Sequence, residues 1–417
     1  MIGQHSRDYA RFITASPSSY HAATEVARRL EEAGYRRQEE TEEWDATPGG
    51  HVLVRDGAVM AWWVPENVTD LRFAIVGAHT DSPTFKVKPT ITSNRSGYTS
   101  VNVETYGGLL PNSWLNRDLG IAGRLMAGGT EHLVRTGAIM VIPQLAIHLD
   151  REAGKGIELG RQQHLQPLLA TGERELMGDL AALAGIDQSD IDGFDLVAYD
   201  LDEPAHVGPD DEFFAAGRQD NLLSVHAGLT AFESLQANNG AVAILACFDH
   251  EEIGSGTATG ARGPLLETVL RRTAAALGVA DEESLQRAFA RSSCVSADCG
   301  HAIHPNYPEK HDPDHTPLLG KGPLLKYNAN QAYTTDAKGV ALWKAACREA
   351  EVPTQDFVSR NDVPCGSTIG PLTATRLGIR TVDVGAPLLS MHSVRELSHV
   401  ADIRAMAGAL AAYIATF

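Results

Sequence analysis

The chain has 417 residues, which is more than one ordinary hydrophobic core organises, so we expect two domains or one large domain with an insertion. Its 35 basic and 53 acidic residues give a formal charge of −18, which argues against a nucleic-acid partner because such a partner needs a basic face. No stretch approaches the roughly 20 apolar residues of a membrane span, and the first residues lack the basic-then-apolar order of a secretory signal, so we expect a cytoplasmic protein with no membrane partner.

The N-terminal part of the chain predicts one helix followed by short strands. The helix is indicated by SPSSYHAATEVARRLEEAGY, which has Ser at the N-cap, apolar residues at helical spacing and Gly34 just past the end. The strands are indicated by HVLV, VMAWWV and RFAIVGAHTDSP. The last is nearly all apolar up to Ala78, as in a strand covered on both faces, and becomes polar where it ends.

The pattern changes between about residues 88 and 212. The stretch KVKPTITSNRSGYTSVNVETYGG alternates as half-exposed β-hairpins do, and IMVIPQLAIHLDREAGKG and DGFDLVAYDLDEP continue in the same manner. We therefore predict an inserted, mainly β domain over residues 89–211. It would divide a domain made of residues 1–88 and 212–417.

The second half of the chain returns to apolar strands that end in polar residues. These strands are GAVAILACFDHEE, SSCVSADCG and IRTVDVGAP, and helical patterns lie near residues 221–237, 336–350 and 398–416. Strands that alternate with helices predict an α/β fold, with polar residues collected where the strands end.

Two adjacent carboxylates, Glu251 and Glu252, follow one of these apolar runs. Like charges repel, so the pair is either solvated at a surface turn or required by a metal and a water molecule. Four further residues of metal-binding type follow apolar runs or lie beside helical patterns: His79, Asp220, Asp298 and His392. Individually His79 could be an ordinary turn histidine and Asp220 a helix N-cap. Together with Glu251 and Glu252, the four residues supply two imidazoles and three carboxylates plus a spare carboxylate, which suits two zinc ions with one bridging carboxylate.

Six motifs occur in a fixed order over nearly the whole chain: HTDSP, GRQDNL, DHEEIGS, SADCGHAIHPNYPEKHDPDH, RNDVPCGSTIGP and MHSVREL. In these motifs the chain resembles the aspartyl aminopeptidase family of dinuclear zinc exopeptidases. The segments LAIHLDR and HLQPLLA are similar to parts of that family's dimerisation domain. The resemblance implies an α/β fold with a mixed central sheet flanked by helices and an inserted, mainly β dimerisation domain.

The resemblance also implies roles for individual residues. The implied metal ligands are His79, Asp220, Glu252, Asp298 and His392. Asp220 would bridge two zinc ions, for which Mn²⁺ or Co²⁺ could exchange. His79 and Asp298 would complete one site, and Glu252 and His392 the other. Glu251 would be the catalytic general base, and Asp81 would orient His79.

Three more residues concern substrate recognition. Lys326, in GPLLKYNANQAY, stands where the family has a lysine suited to pairing with an acidic side chain, although a lysine after an apolar run is commonly a surface residue. His148, in LAIHLDR, matches a histidine that reaches the neighbouring subunit's active site. His301 either lines the pocket or is a flexible surface histidine.

The resulting expectation is a zinc aminopeptidase that removes N-terminal Asp or Glu from peptide substrates. The family forms tetrahedral dodecamers built from dimers, so we expect a homo-oligomer of this kind. Three alternatives stay open at this point. They are a neutral-residue aminopeptidase of the same family, a related dinuclear zinc carboxypeptidase or deacylase, and a non-catalytic shell or cargo-binding protein.

Overall fold

A computed structural model describes residues 2–236 and 239–417. In these residues the α-helices are α1 (Ile2–Ala15), α2 (Ser19–Glu32), α3 (Met177–Ala184), α4 (Gln219–Glu233), α5 (Leu265–Ala276), α6 (Glu282–Arg291), α7 (Ala337–Glu349), α8 (Ile369–Leu377) and α9 (Val400–Thr416). None of these helices is long and apolar enough to cross a membrane.

The strands fall in chain order between residues 36 and 399. They are β1 (Arg36–Arg37), β2 (Gly49–Arg55), β3 (Ala58–Val64), β4 (Phe73–His79), β5 (Thr84–Arg95), β6 (Tyr98–Tyr106), β7 (Leu119–Ala127), β8 (Thr130–Arg135), β9 (Leu168–Thr171), β10 (Ile191–Asp200), β11 (Ala205–Val207), β12 (Phe213–Ala216), β13 (Val242–Phe248), β14 (Ser293–Ala297), β15 (Gly300–His301), β16 (Leu324–Tyr327), β17 (Gln355–Val358), β18 (Arg380–Gly385), β19 (Pro387–Leu388) and β20 (Glu396–His399).

The largest sheet has nine strands in the order β1-β2-β3-β13-β4-β14-β18-β16-β17. Its four central strands, β13, β4, β14 and β18, run parallel to one another. Strands β3 and β16 pair antiparallel with this group, so the sheet is mixed. The parallel strands share one orientation, and their carboxyl ends therefore lie along a single edge of the sheet.

Helices cover both faces of this sheet. Consecutive residues of β4 show the division, because Val76 packs into a core with helices α1, α2, α4, α7 and α9, whereas Ile75 packs into a core with α5, α6 and α8. Side chains alternate between the two faces of a strand. A strand buried on both faces must therefore be apolar throughout, as β4 is until it reaches His79. The predicted α/β fold with a mixed, helix-flanked sheet is confirmed.

A second sheet has six antiparallel strands in the order β8-β7-β10-β5-β6-β9, with a core of its own. All of its strands lie between residues 84 and 200, so the section inserted between β4 and β12 is mainly β. The predicted domain boundary at residues 88 and 89 falls inside β5. The division into residues 1–88 and 212–417 on one side and 89–211 on the other stays a prediction.

Local predictions succeeded where capping or periodicity was strong. Helix α2 follows the predicted N-cap, where the Ser18 hydroxyl oxygen accepts from the backbone N–H of His21. The helix predicted over residues 221–237 is α4, which ends at Glu233; residue 237 lies outside the described residues. The prediction for IMVIPQLAIHLDREAGKG was wrong, because this stretch forms only isolated bridges at residues 140–142, followed by irregular backbone and exposed turns.

Candidate metal centre

Three parallel strands bring polar residues to the same edge of the large sheet. His79 is the last residue of β4, Glu251 and Glu252 follow β13, and Asp298 follows β14. The register pairs Phe248 with His79 across β13 and β4, and Ser296 with Gly77 across β14 and β4. This register places Asp298 beside His79. The polar strand ends that the sequence indicates are thus neighbours in space.

Two further residues reach this edge from segments outside the parallel strands. Asp220 lies at the start of α4, where its backbone is not helical, and its peptide bond to Asn221 is cis. His392 lies in the loop after β19, with a φ of 65°. The structure therefore brings together all five residues that the sequence suggested as metal ligands.

Asp220 lies between the two histidines. Its Oδ1 is 3.5 Å from Nε2 of His79 and its Oδ2 is 3.3 Å from Nε2 of His392. His79 Nε2 lies 3.4 Å from Oδ1 of Asp298, and His392 Nε2 lies 3.5 Å from Oε2 of Glu252. Two groups of candidate ligand atoms result, His79–Asp220–Asp298 and Asp220–Glu252–His392, each with its atoms within 4.8 Å of one another.

The polar atoms of this cluster are suited to a cation. Oδ1 of Asp220 and Oε1 of Glu252 are buried and have no hydrogen-bond partner among the described residues. Burial raises the pKa of Glu252 well above its ordinary value, and the charge of Asp220 raises it further. A buried carboxylate without a donor is costly unless it is paired or coordinates a metal. Imidazole and carboxylate ligands are a combination that zinc accepts.

Glu251 lies beside the same cluster. Its carboxylate also falls within 4.8 Å of ligand atoms of His79 and Glu252. The pKa of Glu251 is raised to about 7, first by burial and then by the charges of Asp298, Asp220 and Asp81, while His79 acts in the opposite direction. A carboxyl group with a pKa in this range is suited to accepting and returning a proton near neutral pH.

Asp81 holds two parts of the cluster together. Its Oδ1 lies 3.4 Å from Nδ1 of His79 and accepts from the backbone N–H of Glu251, and its Oδ2 accepts from the backbone N–H of Glu252. Burial raises the pKa of Asp81, but its contacts with His79, with the Tyr106 hydroxyl and with the backbone N–H of Glu252 together outweigh burial, and the pKa is lowered. Nδ1 of His79 also lies 3.1 Å from the carbonyl oxygen of Asp81. Asp81 is therefore placed to orient the imidazole, and its carboxylate holds the turn that carries both glutamates.

Sequence reasoning missed three groups that support the centre. The Tyr106 hydroxyl donates to Oδ2 of Asp81 at 2.8 Å, and Nδ1 of His392 lies 3.2 Å from the carbonyl oxygen of Gly108. Both residues belong to the mainly β section. The buried carboxylate of Glu396 accepts from the backbone N–H groups of Asp220 and His392. The only sequence signal for Glu396 was its place in the MHSVREL motif.

Lys326 lies deep in the pocket in front of the cluster. The pocket has a volume of about 540 Å³, and Glu251 and His301 also line it. The Lys326 side chain is 1% exposed, and its ammonium donates to the carbonyl oxygen of Cys299 at 2.8 Å. The same ammonium lies 5.3 Å from the centre of the Tyr333 ring. Lys326 is therefore a buried cation at the pocket wall and not a surface lysine.

His148 lies outside this pocket in its own chain. It occupies an exposed turn over residues 147–149, between Ile147 and Leu149, whose side chains are 54% and 76% exposed. Its predicted contact with a neighbouring subunit's active site stays a prediction.

The chain is similar to known proteins over almost its whole length. A family model described as "Aminopeptidase I zinc metalloprotease (M18)" matches residues 12–414. A protein from Streptomyces avermitilis named "Probable M18 family aminopeptidase 2" is 50% identical, over 98% of this chain and 97% of its own length. A protein of the same name from Pseudomonas aeruginosa is 43% identical, over 97% of this chain and 96% of its own length.

Solved structures give the same result for the fold. A chain in the cryo-EM structure of the Ape4 and Nbr1 complex has a TM-score of 0.93 and 34% identity, and the match covers 99% of this chain and 86% of that one. The M18 aminopeptidase of Thermotoga maritima has a TM-score of 0.90 and 27% identity, with 100% and 97% covered. The family match and these relatives show that the chain belongs to the M18 family of zinc metalloproteases and is an aminopeptidase.

Proposed function

We propose that this M18 aminopeptidase holds two zinc ions and removes N-terminal Asp or Glu from peptides. The observation that carries the two-zinc proposal is the position of Asp220, whose two carboxylate oxygens face different histidines. His79 and Asp298 complete one group of ligands, and Glu252 and His392 complete the other. A carboxylate shared in this way is suited to bridging two cations.

The chain's own residues supply proton transfer and orientation. Zinc, when bound, would supply Lewis-acid polarisation of the scissile carbonyl and lower the pKa of water. Glu251, whose carboxylate lies within 4.8 Å of ligand atoms of His79 and Glu252, accepts a proton from the attacking water and returns it to the leaving amine. Asp81 holds the imidazole of His79 and the backbone of Glu251, so the base and one ligand keep a fixed relationship.

Lys326 is the basis for proposing an acidic substrate. It is a buried cation on the wall of the pocket that Glu251 also lines. The chain carries a formal charge of −18, which repels acidic peptides at long range, so selection of Asp or Glu needs a local cation. An ammonium in a partly desolvated pocket pairs well with a side-chain carboxylate and leaves a neutral side chain without a partner.

We also propose a homo-oligomer, with the dodecamer as its form. One structural relative, mApe1 from S. cerevesiae, is described as a dodecamer; it has a TM-score of 0.86 and 27% identity, with 98% of this chain and 95% of that chain covered. In this chain Leu145, Ile147 and Leu149 expose apolar side chains on one segment of the mainly β section. A covered interface would remove this surface from water. Sedimentation would show a large assembly, whereas a stable and fully active monomer would contradict the proposal and the role of His148.

The two-zinc and acidic-substrate proposals are tested separately. Elemental analysis of the purified protein should give two zinc ions per chain, and one tightly held ion per chain would contradict the bridge. A panel of matched peptides that begin with Asp, Glu, Ala, Leu or Lys should show the highest kcat/KM for Asp and Glu. A preference for Leu or Ala would make the enzyme a neutral-residue aminopeptidase.

A further inference from the structure

The carboxylate of Glu396 spans the two chain segments that carry Asp220 and His392. Oε1 accepts from the backbone N–H of His392 at 2.8 Å, and Oε2 accepts from the backbone N–H of Asp220 at 3.0 Å. The residue is 2% exposed. The two oxygens of one carboxyl group thus each accept from a different backbone N–H group. One side chain therefore ties together two candidate ligands that are 172 positions apart, from Asp220 to His392.

The backbone of Glu396 is itself held in place by buried hydrogen bonds. Strand β20, which begins at Glu396, pairs with β12 immediately before the segment that contains Asp220. The side-chain amide of Gln219 donates to the carbonyl oxygen of Glu396 at 2.8 Å, and the Ser398 hydroxyl donates to Oε1 of Gln219 at 2.6 Å. The backbone of Glu396 and the start of α4 are thus joined through buried hydrogen bonds. Movement of the Glu396 carboxylate would shift both ligands.

We propose that Glu396 is a positioning residue that sets the separation of Asp220 and His392. It thereby controls how tightly zinc is held by the Asp220–Glu252–His392 group. This inference rests on the two-zinc function proposed above. Glu396 contacts two of the three residues in the Asp220–Glu252–His392 group, namely Asp220 and His392. In the His79–Asp220–Asp298 group it contacts only Asp220. The backbone N–H of Asp220 and that of His392, whose φ is 65°, both donate to the same carboxyl group, so the two segments are held in one relative position.

The test is Glu396→Gln, which keeps the size of the side chain. The amide retains one acceptor oxygen and turns an NH₂ group toward one of the two backbone N–H donors. Competition with a chelator should show a 10- to 100-fold weaker affinity for one zinc, which is the usual effect of losing a partner that orients metal ligands. At a chelator concentration where wild-type protein keeps both ions, the variant should keep one.

Asp402 offers a matched control. It is fully buried in the first turn of α9 and accepts from two backbone N–H groups, those of Gly320 and Gly322, at 2.6 and 2.7 Å. Like Glu396, Asp402 is a buried carboxyl group that accepts from two backbone N–H groups, but neither of those groups belongs to a candidate ligand. Asp402→Asn should lower the melting temperature by about as much as Glu396→Gln while it keeps both zinc ions.

The outcomes separate this inference from the function on which it rests. If wild-type protein binds fewer than two zinc ions, the two-zinc function fails first. If wild-type protein binds two zinc ions and Glu396→Gln holds both as tightly as wild-type protein does, the positioning role is wrong. Loss of both ions together, or an equal loss in Asp402→Asn, would also overturn it. If Glu396→Gln does not fold, Glu396→Asp keeps the charge but is too short to reach both donors. It should lose the same ion, and wild-type affinity in that variant would refute the inference.

Discussion

The ammonium of Lys326 lies 3.6 Å from Oδ2 of Asp298, whose other oxygen lies 3.4 Å from His79. Lys326 therefore contacts a proposed zinc ligand and lines the substrate pocket at the same time. The two contacts have different consequences. If Lys326 acts by positioning Asp298, its removal should lower kcat/KM for every substrate equally. If it acts by pairing with the substrate, its removal should lower kcat/KM mainly for substrates with an acidic N-terminal side chain.

We predict that Lys326→Ala lowers kcat/KM for N-terminal Asp and Glu by about 10- to 150-fold, and much less for Leu or Ala, because an acidic side chain loses its ionic partner. Zinc content is measured in parallel to detect any disturbance of Asp298. Lys310→Ala is the control, since Lys310 lines the same pocket but is exposed to solvent, where its charge is screened. Equal losses on acidic and neutral substrates would make Lys326 a structural residue.

The adjacent residues Glu251 and Glu252 should respond differently to the same substitution. Glu251→Gln should retain both zinc ions and lose about 10²- to 10⁴-fold in turnover, because an amide cannot accept the proton. Glu252→Gln should instead lose zinc, since it replaces a proposed ligand. Elemental analysis and peptide hydrolysis together distinguish the two. Near-normal turnover of Glu251→Gln with a full metal load would remove Glu251 from the role of base.

Asp220→Ala should release or scramble both zinc ions, because its carboxylate faces both histidines. Asp298→Ala, which removes a residue from only one group of ligands, serves as the comparison and should release mainly one ion. Zinc per chain after gel filtration is the measurement. An Asp220→Ala protein that still holds two zinc ions would disprove the bridge.

Gly385 allows the chain to pass close to Asp298. A Cβ at this position would lie 1.7 Å from the carbonyl oxygen of Asp298, so Gly385→Ala must displace the backbone that carries a proposed ligand. We expect a loss of about 1–3 kcal/mol in the free energy of unfolding together with weaker zinc binding. Gly137→Ala is the control, because nothing lies within 4 Å of a Cβ there. Unchanged zinc affinity in Gly385→Ala would show that the backbone shift stays away from the metal centre.

His21 should make stability depend on pH. Burial, followed by the charges of Arg135 and Arg218, lowers its pKa from 6.5 to about 4. As the pH falls from 6.5 toward about 4, His21 of the unfolded chain takes up a proton that the folded chain does not bind, so the free energy of unfolding falls. The lost free energy of unfolding is about 2 kcal/mol between about pH 7 and pH 5.

The matched variant is His21→Gln, because glutamine at this position of the first helical turn can still support the N-cap at Ser18. Urea unfolding of both proteins at the two pH values should show a smaller loss of stability in the variant. Equal losses in the two proteins would mean that His21 titrates alike in the folded and unfolded states.

The sequence predicted the strands and their polar ends because both signals depend on short-range patterns, whereas the grouping of Asp220 and His392 with them came from the family resemblance. A strand buried on both faces has to be apolar, and the change to polar residues at His79 and Asp298 marks where it ends. Helix α1 was missed although Tyr9, Phe12 and Ile13 pack into the core, because its start is not marked by a capping residue or an acidic first turn.

Other features could not be predicted because their partners carry no sequence pattern. Glu396 binds backbone N–H groups, which every residue except proline has. Leu145, Ile147 and Leu149 alternate as strand residues do, yet they are exposed and unpaired by any described strand. Alternation indicates one apolar side, but whether another chain or the same chain covers that side depends on tertiary structure.

The turn from Tyr106 to Gly108 limits how this enzyme could be shortened or recombined. The hydroxyl group of Tyr106 contacts Asp81, and the carbonyl oxygen of Gly108 faces the ring of His392. A segment of the mainly β section therefore touches both halves of the candidate metal centre. A chimera that exchanged the six-stranded sheet for a relative's would have to carry the native turn with it. An excised α/β portion, however well its large sheet folded, would lack the hydroxyl donor to Asp81 and the carbonyl acceptor beside His392.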